Sequence, residues 1–218
     1  MAPRNKFTRD EMIAAALRLV REKGMAALTA KSLAQELGVS TQPVFTCFST
    51  MDELKREVRG VAERTYEGYI QKGLQTEWPF FGVGVQYLRF VRENPTLYRL
   101  LFLTPEEGGC AIAAMTRTLA IVRDSLVRIY RITPREAEIY FRDMWLTAHG
   151  MASLIVTGDC PYSDQELGEI LTGMSLGIFK AIQEVPGFAA GEYDRDQEFR
   201  KLMERKTGNR QGEEEKKC

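Results

Sequence analysis

Four times in this chain a serine or threonine stands three residues before a glutamate and just ahead of an apolar run: Thr8–Glu11, Thr50–Glu53, Thr133–Glu136 and Ser163–Glu166. This is the capping box, in which the hydroxyl takes the third amide of a new helix while the carboxylate reaches back to the cap's own N–H. Each box commits the local backbone to start a helix, and helical spacing of apolar residues follows each one. After Thr8 come Ile13, Ala16, Leu17 and Val20; after Thr50 come Leu54, Val58, Val61, Thr65 and Tyr69. A further long helix carries Ile112, Met115, Leu119, Val122, Leu126 and Ile129 on one stripe. Alternating strand patterns are missing, so an all-α fold of about nine helices is expected.

The shortest predicted helices lie together. Thr29 caps one, with Leu28 and Leu33 as its hydrophobic staple; Gly38 ends it, and Ser40 is expected to cap the next. Two short helices joined by Gly38-Val39-Ser40 read as a helix-turn-helix. Ala34 is small enough for close approach, and Gly38 can take the positive φ of a sharp turn. Pro43 falls in the first turn of the second helix, where its missing N–H costs little. Phe45 and Phe48 are expected to hold that helix from behind, leaving Thr41, Gln42 and Thr46 as a polar front suited to phosphates and base edges. An αα corner in some unrelated helical protein is the bland alternative.

Charge favours the first reading. The whole chain is neutral, yet residues 1–50 hold Arg4, Lys6, Arg9, Arg18, Arg21, Lys23 and Lys31 against Asp10, Glu11, Glu22 and Glu36. A local basic surface is what a polyanion partner requires.

Residues 7–54, through "TRDEMIAAALRLVREKGMAALTAKSLAQELGVS" and "VFTCFSTMDEL", resemble the N-terminal DNA-binding domain of TetR-type transcriptional regulators. The resemblance implies DNA contacts from Lys6, Thr29, Lys31, Thr41, Gln42, Phe45, Thr46 and Lys55. It also implies a ligand-sensing, dimerising remainder. The chain departs from the family pattern at Phe45, Cys47 and Met51, where tyrosine, histidine and lysine are usual; losing the hydroxyl and the ammonium should weaken phosphate binding. "WLTAHG" is similar to a Trp-x3-His-Gly motif of one subgroup of these C-terminal domains. Trp145 and His149, at i and i+4, share a helix face. They read either as a buried tryptophan beside a hydrogen-bonded histidine or as ligand contacts.

The expected organisation is a helix-turn-helix domain over 1–50, a connecting helix over 51–74, a ligand-binding and dimerisation domain over 75–192, and a charged, disordered tail over 193–218. The pocket is expected between helices of the region 85–150, at Tyr98, Phe102, Met115, Trp145 and His149, taking an apolar or aromatic effector. The dimer is expected to form through helices at about 134–157 and 164–184, at the small residues Ala137, Ala148, Ala152, Gly173, Gly177 and Ala181.

Other classes find little support. One histidine and four scattered cysteines (Cys47, Cys110, Cys160, Cys218) give neither a metal-ligand spacing nor a disulfide framework. No nucleophile elbow is present, so no catalytic residue, metal or cofactor is expected. The N-terminus lacks the apolar core of a signal peptide, and a cytoplasmic location is expected. The functional expectation is a dimeric, ligand-responsive regulator, a repressor at a palindromic double-stranded DNA operator. The alternative is an interaction module of the same fold with weakened DNA binding.

Overall fold

The computed structural model describes residues 7–105 and 110–214, with side chains described through residue 204. The described residues form helices and turns without a strand. In chain order the helices are α1 (Arg9–Lys23), α2 (Ala30–Leu37), α3 (Gln42–Cys47), α4 (Met51–Leu74), α5 (Pro79–Glu93), α6 (Pro95–Tyr98), α7 (Ala111–Tyr130), α8 (Pro134–Thr157), α9 (Asp164–Glu184) and α10 (Arg195–Glu214). A π-helical turn, Arg99–Leu103, continues α6. No helix among the described residues is long and apolar enough to cross a membrane.

Three of the four capping boxes close as expected, at Thr8–Glu11, Thr133–Glu136 and Ser163–Glu166. A fifth forms at Thr29, where Ser32 replaces the glutamate. At Thr50 only half the box forms. Thr50 accepts the Glu53 N–H at 3.1 Å, but the Glu53 carboxylate takes the Ser49 N–H at 2.7 Å and a guanidinium of Arg9 at 2.8 Å. A cationic partner outbids a second neutral amide for that carboxylate. Ser40 does not cap α3: the cap position is Thr41, without a side-chain bond.

Two predicted stripes are rotated. On α4 the buried residues are Leu54, Val58, Ala62, Tyr66 and Ile70, not Val61, Thr65 and Tyr69. On α7 they are Ala114, Thr118, Val122 and Leu126, while Ile112 and Ile129 are exposed. Both cores follow strict i+4 ridges that recruit small or hydroxylated residues, the arrangement by which ridges of one helix fill grooves of another. Tyr66 and Thr118 join across the two ridges, hydroxyl to hydroxyl at 2.9 Å, which removes the cost of burying either. The segment 193–218, expected as a disordered tail, contains α10, a charged helix whose Phe199, Leu202 and Met203 are exposed.

The backbones of α4 and α5 approach closely. A Cβ on Gly73 would lie 2.5 Å from the Val83 Cα, and one on Gly82 would lie 2.5 Å from the Gly73 carbonyl oxygen. Only glycine fits at either place, so the C-terminal end of α4 and the N-terminal half of α5 are keyed together. One continuous core, from Met12 on α1 to Ile178 on α9, runs through both helices.

Candidate nucleic-acid interface and ligand cavity

The helix-turn-helix is built as the residues require. Gly38 sits at φ 65°, ψ 38°, and the amides of Gly38 and Val39 turn back to the carbonyls of Gln35 and Ala34. Leu33, Ala34, Val44 and Phe48 are buried behind the turn. Thr41, Gln42 and Thr46 are exposed, and the Thr46 hydroxyl donates to the Gln42 carbonyl. Phe45 is not behind the helix: it is 52% exposed, on the front with Gln42 and Thr46. In a six-residue helix the inner face is taken by Val44 and Phe48, four apart, and position 45 lies about 100° further round.

Of the expected phosphate contacts, Lys31 is exposed on α2, and Lys55 is half-buried near the start of α4. The Thr29 hydroxyl is engaged in its cap, accepting the Ser32 N–H at 3.1 Å. Lys6 lies outside the described residues. Arg9, counted above with the basic surface, turns inward. Its guanidinium donates to the Cys47 carbonyl at 2.7 Å, to Glu53 at 2.8 Å and to Glu57 at 2.9 Å, and lies 4.4 Å from the Phe48 ring centroid. The Arg9 bond and the Ser49 amide hold the Glu53 carboxyl below its ordinary pKa. Arg9 thus ties α1, the C-terminal end of α3 and α4 into one body.

The five expected pocket residues divide. Tyr98, Phe102, Trp145 and His149 stand together, with Trp145 and His149 stacked at 6.2 Å and 8°. Phe102 lies 5.9 Å from Trp145 and 5.0 Å from Tyr98. The hydroxyls of Tyr87 and Tyr98 approach His149 Nδ1 at 3.0 and 3.1 Å. Burial lowers the His149 pKa and raises that of Tyr87, so a neutral imidazole and protonated phenols coexist there. Trp145 is buried beside a hydrogen-bonded histidine. Met115 is elsewhere, on a shallow groove with Leu119, Arg135 and Arg142.

The roomy space lies beside this cluster, between α5, α7, α8 and α9. An outer cavity of about 450 Å³ is lined by Trp78, Phe80, Phe81, Tyr130, Tyr140, Met144, Leu171, Thr172, Ser175 and Phe179, among others. An inner chamber of about 50 Å³ is lined by Ile70, Val83, Tyr87, Thr118, Phe141, Trp145 and Ala148. The two share Phe80, Gly84, Tyr140, Met144 and Leu171. Of the five expected residues, only Trp145 faces either space. Both spaces reach beyond residues 85–150, to Phe80 and to α9. Tyr140 supplies a polar handle, its hydroxyl 2.9 Å from that of Ser175.

On the far side of α8 and α9 an apolar face is uncovered. Leu146, Gly150 and Leu154 lie four apart on α8, and Gly173, Met174 and Gly177 on α9; all are exposed. Ala137, Ala148 and Ala152 are buried inward and belong to the core instead.

The family model described as "Bacterial regulatory proteins, tetR family" matches residues 12–58, and that described as "Tetracyclin repressor-like, C-terminal domain" matches residues 80–174. No curated protein matches at a significant level. Among solved structures, a transcriptional regulator from Rhodococcus sp. Rha1 is 18% identical over 80% of this chain and 97% of its own, at a TM-score of 0.60. A TetR-family member from Streptomyces coelicolor A3 is 21% identical over 76% and 96%, at 0.57. The multidrug binding protein EbrR, complexed with imidazole, is 19% identical over 76% and 93%, at 0.52. At these identities the likeness is one of fold. With a helix-turn-helix matched at one end and a repressor-like helical domain at the other, the chain belongs to the TetR family of bacterial transcriptional regulators.

Proposed function

We propose that the protein is a homodimeric, ligand-responsive DNA-binding regulator that represses from a two-fold symmetric operator until an apolar or aromatic small molecule occupies its cavity. The observation that carries this reading is α4. Its first turns are tied to the recognition unit through Arg9, Glu53 and Glu57, and its last turns place Ile70 against the inner chamber and Gly73 against α5. A helix of 24 residues spans about 36 Å. A ligand that favours one setting of that rod shifts the population of dimers whose recognition helices fit successive major grooves. EbrR, of the same fold, is described as a multidrug binding protein, which agrees with an aromatic-lined site.

Base reading is assigned to Gln42 and Thr41, and phosphate contact to Lys6, Thr29, Lys31, Thr46 and Lys55. Phe45, on the same front, would touch sugar or a thymine methyl. Gln42→Ala is expected to relax preference at one position per half-site, a loss of ~1–3 kcal/mol of discrimination. Comparing the duplexes selected by parent and variant measures it, and identical profiles would leave Gln42 a surface residue. Met51, half-buried at the first position of α4, stands where the family lysine would. Met51→Lys is expected to tighten binding to every duplex and steepen the salt slope by about one unit. An unchanged slope would mean that position 51 does not approach the backbone.

The interaction-module reading draws on the same departures, and on Arg9, whose charge is paired with Glu53 and Glu57. Selection of duplexes from a random pool by the full chain, followed by binding at several salt concentrations, separates the two. The regulator is expected to enrich a palindrome and show a linear fall of log affinity with log salt. A flat salt response without enrichment would favour the module.

A further inference from the structure

The two cavities do not touch the same helices. The outer one is walled by α5, α7, α8, α9 and Trp78 just ahead of α5, with no residue of α4. The inner chamber is walled in part by Ile70 of α4. It also reaches α4 a second time, because Thr118 in its wall is hydrogen-bonded to Tyr66, one turn back along α4. Resting on the regulator reading above, we infer that the effector is bipartite: an aromatic body held in the outer cavity and a short aliphatic branch in the inner chamber, with the branch alone generating the response. Occupying the outer cavity gives affinity. Occupying the inner chamber displaces Ile70 and the Tyr66–Thr118 pair, and so moves the rod that carries the recognition unit.

The dimensions set the branch. An inner volume of about 50 Å³ has room for on the order of three or four heavy atoms. Its chemistry is set by what is already satisfied. The Thr118 hydroxyl is engaged by Tyr66 and by the Ala114 carbonyl, the Tyr87 hydroxyl is at His149, and the described residues leave no buried side-chain polar atom without a partner. A hydroxyl or amine on the branch would have to compete with bonds already made and would cost binding; methyl to propyl fits. The branch would enter between the side chains common to both spaces, where Leu171 lies against Gly84 and a Cβ would come within 3.1 Å of it. The body is aromatic because Phe80, Tyr130, Tyr140 and Phe179 meet edge-on or tilted in one wall, with centroids 4.2–5.7 Å apart, and no charged side chain lines either space.

The chain's own tryptophans report the two sites separately, since Trp78 lines only the outer cavity and Trp145 only the inner one, and the chain has two in all. The test uses full-length protein carrying 5-fluorotryptophan, with the two 19F signals assigned from Trp78→Phe. The probes are 2-naphthol and its 6-methyl, 6-ethyl, 6-propyl and 6-hexyl derivatives, followed by calorimetry, 19F NMR and amide exchange of α4. All but the hexyl compound are expected to bind and shift the Trp78 signal. Affinity should rise about fourfold per branch carbon up to propyl and fall at hexyl. The Trp145 signal and α4 exchange should change only once a branch is present. Ala148→Val, which narrows the inner chamber, should keep 2-naphthol affinity within a few-fold and abolish the gain from the branch; its melting curve shows whether it is folded, and the wild-type series stands without it. The inference is overturned if unbranched 2-naphthol moves Trp145 and α4 as fully as the propyl compound, or if affinity ignores branch length. If no member binds and the Trp78 signal stays still, the aromatic cavity is not the effector site, and the underlying reading fails with the inference.

Discussion

Phe48→Ala is expected to destabilise the N-terminal domain by about 3–5 kcal/mol and to abolish DNA binding. Phe48 is only 1% exposed, closes α3 through its amide to the Val44 carbonyl, and lies beneath the Arg9 guanidinium. Removing the ring leaves a cavity between α3, α1 and α4 and uncovers the one cation–π contact that positions Arg9. The domain is too small to absorb such a loss from a total stability of ~5–15 kcal/mol. Amide exchange should show α1 to α3 opening while α8 and α9 stay protected. An unchanged melting curve would mean that α3 is held by something other than its Val44–Phe48 face.

Leu146→Glu is expected to leave each protomer folded and to take the dimer apart. Leu146 is 54% exposed in the single chain, so a charge there costs the monomer little. If the Leu146–Gly150–Leu154 face of α8 meets its symmetry mate with the glycine face of α9, the same substitution buries two uncompensated carboxylates at once. At about 3 kcal/mol each, the dimer weakens by roughly four orders of magnitude. Sedimentation at micromolar concentration should give monomers with an unaltered helical spectrum, and operator affinity should fall to that of a half-site. A dimeric Leu146→Glu protein would place the interface elsewhere.

What could be read from the sequence was local. Capping boxes involve residues three apart, so Thr8, Thr133 and Ser163 announced their helices, and Gly38 announced the turn. Thr50 misled because its glutamate had a stronger partner, Arg9, 44 residues away. The same distance hid the role of Arg9, which in sequence is only one more charge of the basic segment. Phe45 and Phe48 look alike in sequence, and only the geometry of a six-residue helix decides which one is inside. The α4 and α7 ridges differ from the apolar stripes because they run through the small Ala62 and Ala114 and through Tyr66 and Thr118, whose hydroxyls are buried by bonding to each other. The cavity was the least legible feature. Its walls come from α5, α7, α8 and α9, and α9 had been reserved for the dimer; Tyr140 and Phe179 meet only when those helices are packed. Trp145 and His149 are neighbours by i,i+4 spacing, which is local, and Tyr98 was expected beside them, while Tyr87, 62 residues from His149, was not.

The central claim is that DNA site and cavity are two ends of one mechanical element. Its most direct test is reciprocal titration: the dissociation constant of the selected duplex measured with and without a compound that releases it, and that of the compound measured with and without the duplex. Linkage makes the two ratios equal whatever carries the coupling, and a factor of ~5–150 is expected. A compound that fills the cavity, as its Trp78 signal shows, yet leaves the affinity for the duplex unchanged would contradict the account.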